Sequence, residues 1–529
     1  MRRPNLSRRW SARALLALLV LAVAVLLAPS TSPPAEASTS PRAGDVDVAR
    51  LNAYVSDQVR RHGIPGLALG VVSGARVVDV RGFGAADDTG RPVSPQTPFL
   101  LASVSKPLTA TAILQLVEAG RVELDAPAQR YVPDFRLADP TVSARITIRQ
   151  LLQHTSGIPV TSCDTRNNAR TLAEYVAELR TVRPAAAPGA RHSYCSGNYN
   201  VLGRVIETVS GQSYGQYMQQ HVFAPLAMRN TFSDEAAARR AGLAEGHRWL
   251  FGRAASAHER YNTSQLPSGF LISSAEDMTH FLVAQLDGGR YGDARVLTAS
   301  SVSAMHAPGV PIGSGQGTYG LGWKLAPVGD VPVIQHAGDN VYYHGIVFFD
   351  PATRRGAVLL SNSNGLLVTS AYREIEAGVA RILVGRAPAP PSTSLGRLYA
   401  IVDTVLALLL ALAVWPLVRL PRWSRALRTR IREGRTVRWR WRLLRAGCEI
   451  VLPAALLAAT RLVLHLAGAQ SWTEGLGLLP DTGGWLWVVC LTVLLTGALR
   501  LVTVLRLRGR CSSAGEGGNR TRPAVSATA

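Results

Sequence analysis

The stretch that decides the fold runs from Pro95 to Lys106 and reads P-Q-T-P-F-L-L-A-S-V-S-K, and residues 107–119 follow it directly. Residues 108–119 have a strong helical pattern, so we expect a helix that begins near Ser103. One turn of such a helix separates Ser103 from Lys106, which places the hydroxyl and the amine on the same face. The free N–H groups at the start of the helix favour negative charge beside Ser103.

Ser103 and Lys106 together carry the groups that nucleophilic catalysis requires. A serine hydroxyl is a poor nucleophile until a neighbouring group takes its proton. A desolvated lysine with a lowered pKa can do this near neutral pH. The alternative is that Ser103 only caps the helix and that Lys106 is a solvated surface residue. The S-x-x-K tetrapeptide by itself does not decide between these two interpretations.

A second, longer stretch, residues 146–159, reads I-T-I-R-Q-L-L-Q-H-T-S-G-I-P. With this stretch and the Ser103 segment, residues 45–385 resemble the serine β-lactamase-related hydrolases, which include class C β-lactamases, D-alanyl-D-alanine carboxypeptidases, D-aminopeptidases and esterases. The resemblance implies an α/β (α+β) β-lactamase-like fold: an antiparallel sheet flanked by helices, plus a helical lobe. The alternation of helical and strand-like segments agrees with that class.

The resemblance also implies roles for individual residues. Ser103 matches the nucleophile and Lys106 its proton acceptor. Tyr194, in the segment Y-C-S-G-N of residues 194–198, matches a tyrosine that passes the proton to the leaving group. Ser196 stands where the family has asparagine. A serine side chain is shorter and lacks the amide, so this departure puts the recognition of amide substrates, and hence turnover of β-lactams, in doubt.

The third matching element is H-A-G-D at residues 336–339. By resemblance, His336 meets the charge or the carbonyl of the substrate, and Gly338 lets the substrate approach the strand edge. The backbone N–H groups of Ser103 and Asp339 are expected to form the oxyanion hole. His154, although it lies in the long family stretch, is expected to be structural.

Cysteine usage adds one expectation. Cys163 and Cys195 are the only cysteines between residues 38 and 396, and an exported domain permits disulfides, so we consider a bridge between them beside Tyr194. No cluster has metal-ligand spacing and no glycine-rich phosphate loop is present, so we expect no metal and no cofactor.

The net charge of +22 lies mostly at the two ends of the chain. Residues 1–37 carry +4 and residues 397–529 carry +13, in both cases beside apolar runs. This pattern indicates membrane topology and excludes nucleic acid as a partner. A basic start, the apolar run of residues 14–28 and A-E-A at residues 35–37 predict a signal peptide over residues 1–37, with an uncleaved anchor as the alternative.

Residues 386–397 are rich in proline and serine and predict a linker. Three apolar segments of membrane-spanning length follow at about residues 398–418, 448–466 and 485–504, within a transmembrane region of residues 398–510. Eleven arginines lie between the first two segments and none between the last two, so the arginine loop and the disordered tail, residues 511–529, are expected to be cytoplasmic. The domain of residues 45–385 is then expected outside, anchored in the lipid bilayer.

These observations predict an extracytoplasmic serine hydrolase of the cell membrane that acts through an acyl-enzyme on Ser103. The expected substrates are cell-wall D-amino-acid peptides, β-lactams or esters. The alternative is a non-catalytic receptor that binds penicillin or peptidoglycan fragments and signals through its transmembrane helices, which Ser196 and the three-segment anchor keep open. A transporter is disfavoured, because it needs polar residues that line several spans, and the two candidates, Arg461 and His465, both lie in the second apolar segment.

Overall fold

A computed structural model describes residues 46–160, 171–258, 260–313, 315–466 and 480–516 of the chain. The chain divides into two compact units, with the boundary between Leu398 and Tyr399. We call the unit that ends at Leu398 the larger unit and the one that begins at Tyr399 the smaller unit.

An antiparallel sheet of eight strands forms the centre of the larger unit, in the order β2-β1-β14-β13-β12-β11-β10-β9. Its strands are β1 Gly66–Ser73, β2 Arg76–Gly84, β9 Val310–Pro311, β10 Thr318–Tyr319, β11 Lys324–Leu325, β12 Ile334–Asp339, β13 His344–Asp350 and β14 Arg355–Ser361. Strands β1, β13 and β14 are almost entirely buried, because apolar residues occupy both of their faces. The middle of the sheet is therefore the rigid part against which the helices pack.

Shorter strands build three small sheets elsewhere in the larger unit. They are β3 Phe99–Leu100 with β6 Ile272–Ser273; β7 Arg290–Tyr291 with β8 Ala294–Arg295; and β4 His247–Leu250, β5 Arg253–Ser256 and β15 Ser363–Asn364. The β3–β6 pair has direct importance for the site, because β3 ends at Leu100, three residues before Ser103. This pairing fixes the chain as it enters the Ser103 segment.

Helices surround the sheet and build a separate lobe. They are α1 Val48–His62, α2 Ser105–Glu118, α3 Pro140–Ser143, α4 Ile148–Leu152, α5 Leu172–Glu178, α6 Gly197–Ser210, α7 Tyr214–Met218, α8 Glu235–Arg240, α9 Ala275–Leu286, α10 Ala299–His306 and α11 Thr369–Leu383. Helices α1 and α11 pack against each other, and α9 packs on β1. Helix α2 packs against α6, and α6 also contacts α4 and α5. The lobe around α2 thus shares one hydrophobic core with the sheet.

Several of these elements follow directly from local patterns in the sequence. Residues 46–61 carry apolar residues at helical spacing and contain α1. Residues 67–80 are mostly apolar in strand fashion and lie in the β1–β2 hairpin, with its turn at Ser73–Gly74. Two apolar runs, residues 345–349 and 357–360, flank the polar residues 350–356 and form the paired strands β13 and β14. Helix α2 begins at Ser105, two residues after Ser103, because a short 3-10 turn, Ala102–Val104, precedes it.

The smaller unit is helical. Its helices are α12 Leu395–Val418, which begins in the larger unit, α13 Leu420–Arg432, α14 Trp439–Leu466 and α15 Pro480–Glu516. Three of its stretches are long and apolar enough to cross a membrane. Helix α13 lies within the arginine-rich stretch that was predicted only as a loop.

The predicted boundary at residue 510 is not the end of the last helix. Helix α15 continues to Glu516, six residues into the segment predicted to be disordered, and residues 517–529 lie outside the described part of the chain. A helix can extend past an apolar segment into water as long as its residues keep good helix propensity, and Arg506, Arg508 and Arg510 do so. The predicted signal peptide, residues 1–37, also lies outside the described residues.

Candidate active site

Ser103 lies at the junction of the sheet and the helical lobe. It is the only residue between Thr97 and Leu114 that is not buried, so within this segment only the side chain of Ser103 is accessible to solvent. Ala102, directly before it, has a left-handed backbone with φ of 47°. Such a conformation is unfavourable for alanine and persists only where its surroundings hold it. The β3–β6 pair before Ala102 and helix α2 after it hold the backbone in this conformation.

Lys106 approaches Ser103 from the first turn of α2. Its side chain is fully buried, and its Nζ lies 3.0 Å from Ser103 Oγ. The same nitrogen donates to the carbonyl oxygen of Ser268 at 2.6 Å and to Ser196 Oγ at 3.4 Å. The surface-lysine alternative does not hold, because no part of this side chain is in contact with bulk water. Ser103 is also not a cap, since its side chain caps neither the turn nor the helix.

Tyr194 borders the lysine. Lys106 Nζ lies 4.9 Å from the centre of the Tyr194 ring, and the ring of His154 lies 4.3 Å from the same centre. His154 is fully buried and its Nδ1 accepts from the backbone N–H of Cys195 at 3.1 Å. It therefore holds the loop that carries Tyr194 and Ser196, which is the structural role expected for it. Burial, followed by the charges of Lys106 and other neighbouring groups, keeps the pKa of His154 well below its usual value.

Strand β12 forms the wall of the site that faces the backbone of Ser103. A Cβ atom added to Gly338 would lie 2.4 Å from the Leu101 carbonyl oxygen and 2.8 Å from the Ser103 backbone nitrogen. Only glycine permits this approach, which brings the backbone at residues 338–339 beside that of Ser103. Strand β11 pairs with β12 only at Ile334 and Gln335, so the outer edge of β12 beyond Gln335 has no strand partner in this sheet.

His336 lies on the same face of β12 as Gly338, and its ring centre lies 6.4 Å from that of Tyr194, so it borders the site. Its side chain is fully buried, its Nε2 lies 2.9 Å from Tyr319 Oη, and its Nδ1 lies 2.8 Å from the Ala337 carbonyl oxygen. The carbonyl can only accept, so Nδ1 carries the proton and Nε2 accepts from the tyrosine. Burial and the two nearby lysine charges hold the pKa of His336 well below its usual value. The imidazole is therefore neutral, and both of its ring nitrogens are hydrogen-bonded within the protein. Its expected part in substrate binding stays a prediction.

Lys324 is a residue of this site that sequence reasoning missed. It begins β11, opposite Gln335 of β12, and its Nζ lies 5.4 Å from the centre of the Tyr194 ring. Desolvation by burial lowers the pKa of its ammonium, and the negative charge of Asp339 opposes that shift. One feature of the sequence could have pointed to Lys324. Of the 57 lysine and arginine residues, only Lys106 and Lys324 are lysines.

Asp339 is the last residue of β12. Its carboxylate is partly exposed, and one of its two oxygens is hydrogen-bonded. Its Oδ1 lies 2.8 Å from His344 Nδ1 and accepts from Asn364 Nδ2 at 3.2 Å. The other ring nitrogen of His344 lies 2.6 Å from Glu376 Oε1 on α11. A buried imidazolium between two carboxylates thus connects the end of the site strand to helix α11.

Cys195, directly after Tyr194, is buried and disulfide-bonded. Cys163, its expected partner, lies outside the described residues. Among the residues that the structure describes, none form a group of three or more His, Cys, Asp and Glu side chains arranged to hold a metal ion.

The sequence and the fold were compared with known proteins. The family model for Beta-lactamase matches residues 51–380. The chain belongs to the beta-lactamase family. The predicted β-lactamase-like fold is confirmed by this family match and by the similarity of the chain to a solved structure of a penicillin-binding protein homologue.

Relatives of this beta-lactamase family chain carry the names of penicillin-binding proteins. Penicillin-binding protein 4 of Amycolatopsis lactamdurans is 30% identical over 342 residues, which cover 63% of this chain and 90% of that protein. Protein flp of Staphylococcus aureus (strain MW2) is 28% identical over 325 residues, 60% of this chain and 63% of flp, so the match spans a little under two thirds of the flp protein. The octameric penicillin-binding protein homologue from Pyrococcus abyssi has a TM-score of 0.56 at 26% identity, over 65% of this chain and 78% of that one.

Proposed function

We propose that this protein is a membrane-anchored serine hydrolase that works through an acyl-enzyme on Ser103. The observation that carries the proposal is the 3.0 Å distance between Lys106 Nζ and Ser103 Oγ, at a lysine that is fully buried while the serine is not. An amine taken out of water holds its proton less firmly, so it can accept the proton of the hydroxyl near neutral pH. Membership of the beta-lactamase family supports the same chemistry.

The proposed reaction begins when Ser103 Oγ bonds to the carbonyl carbon of the substrate while its proton moves to Lys106. The electron pair of the carbonyl moves to its oxygen, where the backbone N–H groups of Ser103 and Asp339 hold the charge. The bond to the leaving group then breaks, and that group takes a proton through Tyr194. Water attacks the resulting ester, the acid leaves, and the proton returns to Ser103.

The proposed substrates are cell-wall D-amino-acid peptides, β-lactams or esters. The names of the relatives support ligands of the penicillin type. The free outer edge of β12 supports an extended acyl group, which could add to that edge by backbone hydrogen bonds as a further strand. Ser196, 3.4 Å from Lys106 Nζ, supplies only a short hydroxyl where an amide was expected, which favours esters over amides.

The proposed location is the cell membrane, with the larger unit outside the cytoplasm. Three helical stretches that meet the length and composition of membrane spans support the anchor. The arginines between the first two apolar segments support a cytoplasmic position for that loop. Protease added to intact cells should then degrade the larger unit and leave the α13 loop protected.

The labelling of Ser103 tests the proposed chemistry. Membranes that contain the full-length protein are treated with a fluorescent fluorophosphonate or a fluorescent penicillin, for the wild type and for Ser103→Ala. We expect a labelled band in the wild type and none in Ser103→Ala at equal protein levels. Equal labelling of both, or none with either reagent in the folded wild type, would overturn the proposal.

A second candidate function is a non-catalytic receptor for the same ligands. The substitution of serine for the expected asparagine at position 196 favours it, because an acyl-enzyme formed there would be released slowly. Steady turnover of a chromogenic ester or cephalosporin supports the hydrolase. A stoichiometric burst without turnover supports the receptor.

A further inference from the structure

The backbone N–H of Asp339 points to the open edge of β12. The next residue, Asn340, donates its N–H to the carbonyl oxygen of Tyr343 across the hairpin at 3.0 Å. Because the N–H groups of successive strand residues point to opposite edges, that of Asp339 points away from β13. Strand β11 pairs with β12 only at Ile334 and Gln335, so within the described part of the chain no strand takes this N–H. This orientation supports its proposed place in the oxyanion hole.

The side chain of Asp339 projects from the face of β12 opposite to the one on which Gly338 meets Ser103. Asp339 and His344 form a pair of the antiparallel ladder that is not hydrogen-bonded through the backbone, and in such pairs the side chains are closest. Asp339 Oδ1 accordingly lies 2.8 Å from His344 Nδ1, and it also accepts from Asn364 Nδ2 at 3.2 Å. The residue that carries the proposed N–H donor is thus held by its own carboxylate from behind the sheet.

His344 is in turn held by helix α11. Its Nε2 lies 2.6 Å from Glu376 Oε1, and its ring stacks on that of Tyr372, with the ring centres 4.2 Å apart and the planes 13° apart. Tyr372 Oη lies 2.7 Å from the hydroxyls of Ser361 and Ser363. Since carboxylate oxygens face both ring nitrogens of His344, both nitrogens carry protons and the buried ring is a cation. These contacts form one connected polar network, which restricts the position of each member.

We infer that His344 is a positioning residue for acyl transfer, and that it acts through the Asp339 carboxylate to fix the Asp339 N–H as an oxyanion-hole donor. The inference rests on the proposed function and adds to it a group that does not touch the substrate. A donor lowers the barrier most when it is fixed in advance at the place where charge develops. A charge-assisted hydrogen bond, such as that between His344 and Asp339, is shorter and stronger than a neutral one. Loss of His344 should therefore slow acylation and leave substrate binding almost unchanged.

A double-mutant cycle between His344 and Asp339 tests the inference in the full-length protein in detergent. The variants are His344→Gln, Asp339→Ala, which removes the carboxylate and keeps the backbone N–H, and the combination of both. His62→Gln is the matched control, because His62 is also a buried histidine beside a glutamate of α11, with its Nε2 3.7 Å from Glu374 Oε2.

Two esters are compared in single-turnover experiments on each variant. They share the acyl and leaving groups and differ in one atom, which is the carbonyl oxygen in one ester and sulfur in the other. Sulfur accepts hydrogen bonds only weakly, so the sulfur ester gains little from the oxyanion hole. The maximal rate of acylation and KM are measured, and labelling with fluorophosphonate counts the folded, active protein.

In His344→Gln we expect the maximal rate with the oxygen ester to fall about tenfold or more, because complete loss of one oxyanion-hole donor costs about 10² to 10³. KM should change less than about threefold, and the preference for the oxygen ester over the sulfur ester should fall with the rate. Asp339→Ala should give a similar loss. The double variant should lose no more than the larger single loss, since both changes remove the same link. His62→Gln should behave as the wild type does.

Two results would overturn the inference. One is a pair of single losses that multiply in the double variant, because His344 would then act independently of Asp339. The other is a preference for the oxygen ester that His344→Gln leaves unchanged. If His344→Gln does not fold, Glu376→Gln takes its place in the same assay, since it keeps the imidazole and removes the charge behind it. Failure of the proposed function gives a different result, because then neither ester acylates the wild type in a Ser103-dependent way.

Discussion

His344 Nε2 lies 2.6 Å from Oε1 of Glu376, and this contact joins strand β13 to helix α11 behind the active-site strand. The other ring nitrogen of His344 lies 2.8 Å from Asp339, at the end of β12. Burial lowers the pKa of His344, but the hydrogen bonds with Asp339 and Glu376 outweigh it and raise the pKa to about 10. The imidazole is therefore protonated at neutral pH in the folded protein.

This raised pKa predicts a defined dependence of stability on pH. The ordinary pKa of histidine is 6.5, so the folded state holds this proton more tightly than the unfolded state does. The stabilisation from His344 is fully present below about pH 6.5 and is lost as the pH rises towards 10. His344→Gln should lower the free energy of unfolding by about 3 kcal/mol at pH 6, because it leaves the buried carboxylate of Glu376 without its cation.

Thermal unfolding of the larger unit in the full-length protein, followed at pH 6 and pH 10, checks this. The difference between His344→Gln and the wild type should shrink at the higher pH. Glu123→Gln is the matched control, since Glu123 pairs with Arg130 in an exposed ion pair. Such pairs contribute less than about 1 kcal/mol. A loss in His344→Gln that is the same at both pH values would contradict the protonated imidazole.

Lys106→Arg tests whether Lys106 acts as a proton acceptor or only as a positive charge. A guanidinium does not lose its proton in this pH range, so it can keep the charge near Ser103 but cannot take the hydroxyl proton. We expect the rate of Ser103 labelling by fluorophosphonate to fall by about 10² to 10⁴, the usual contribution of a general base. Circular dichroism establishes that the variant is folded. A fall of less than about tenfold would show that Lys106 acts only through its charge.

Substitutions of Tyr194 and Ser196 should lower the turnover of a chromogenic ester by very different factors. Tyr194→Phe removes the proposed proton carrier beside Lys106, and we expect turnover of a chromogenic ester to fall by about 10² or more. Ser196→Ala removes a 3.4 Å contact between neutral oxygen and amine, at the long limit of a hydrogen bond, so the expected fall is about fivefold or less. Comparable losses in the two variants would give Ser196 a direct part in the chemistry.

Gly338→Ala tests the contact between β12 and the Ser103 backbone. The added Cβ would meet the Leu101 carbonyl oxygen at 2.4 Å and the Ser103 nitrogen at 2.8 Å, so backbone must shift. We expect labelling of Ser103 to be lost and the free energy of unfolding to fall by about 1–3 kcal/mol. Gly396→Ala is the control, because a Cβ at that position meets nothing within 4 Å. Normal labelling in Gly338→Ala would show that this approach is not needed.

Local patterns predicted much of the fold and the centre of the site. The helical spacing after Ser103 places Lys106 one turn away, and the structure brings their side chains to 3.0 Å. Strands β13 and β14 could be predicted from two apolar runs and the polar turn between them, because neighbouring antiparallel strands need only local information. The family stretch of residues 146–159 supplied the rest of the topology by resemblance.

The burial of His336 and the position of Lys324 beside Tyr194 could not be predicted in this way. Both depend on how strands β11 and β12 meet the Tyr194 loop, which is far from these two strands in the chain. His336 is fully buried, and its Nε2 lies 2.9 Å from the hydroxyl of Tyr319 on β10, a contact that the H-A-G-D segment does not reveal. The scarcity of lysine was visible in the sequence from the start, but composition alone does not tell which two positions become neighbours.

The same scarcity makes the protein a convenient subject for bioconjugation. Lys106 is sealed from solvent, so an amine-directed dye would find Lys324 as its one accessible lysine. A fluorophore attached there would report directly on occupancy of the cleft, without any engineered cysteine.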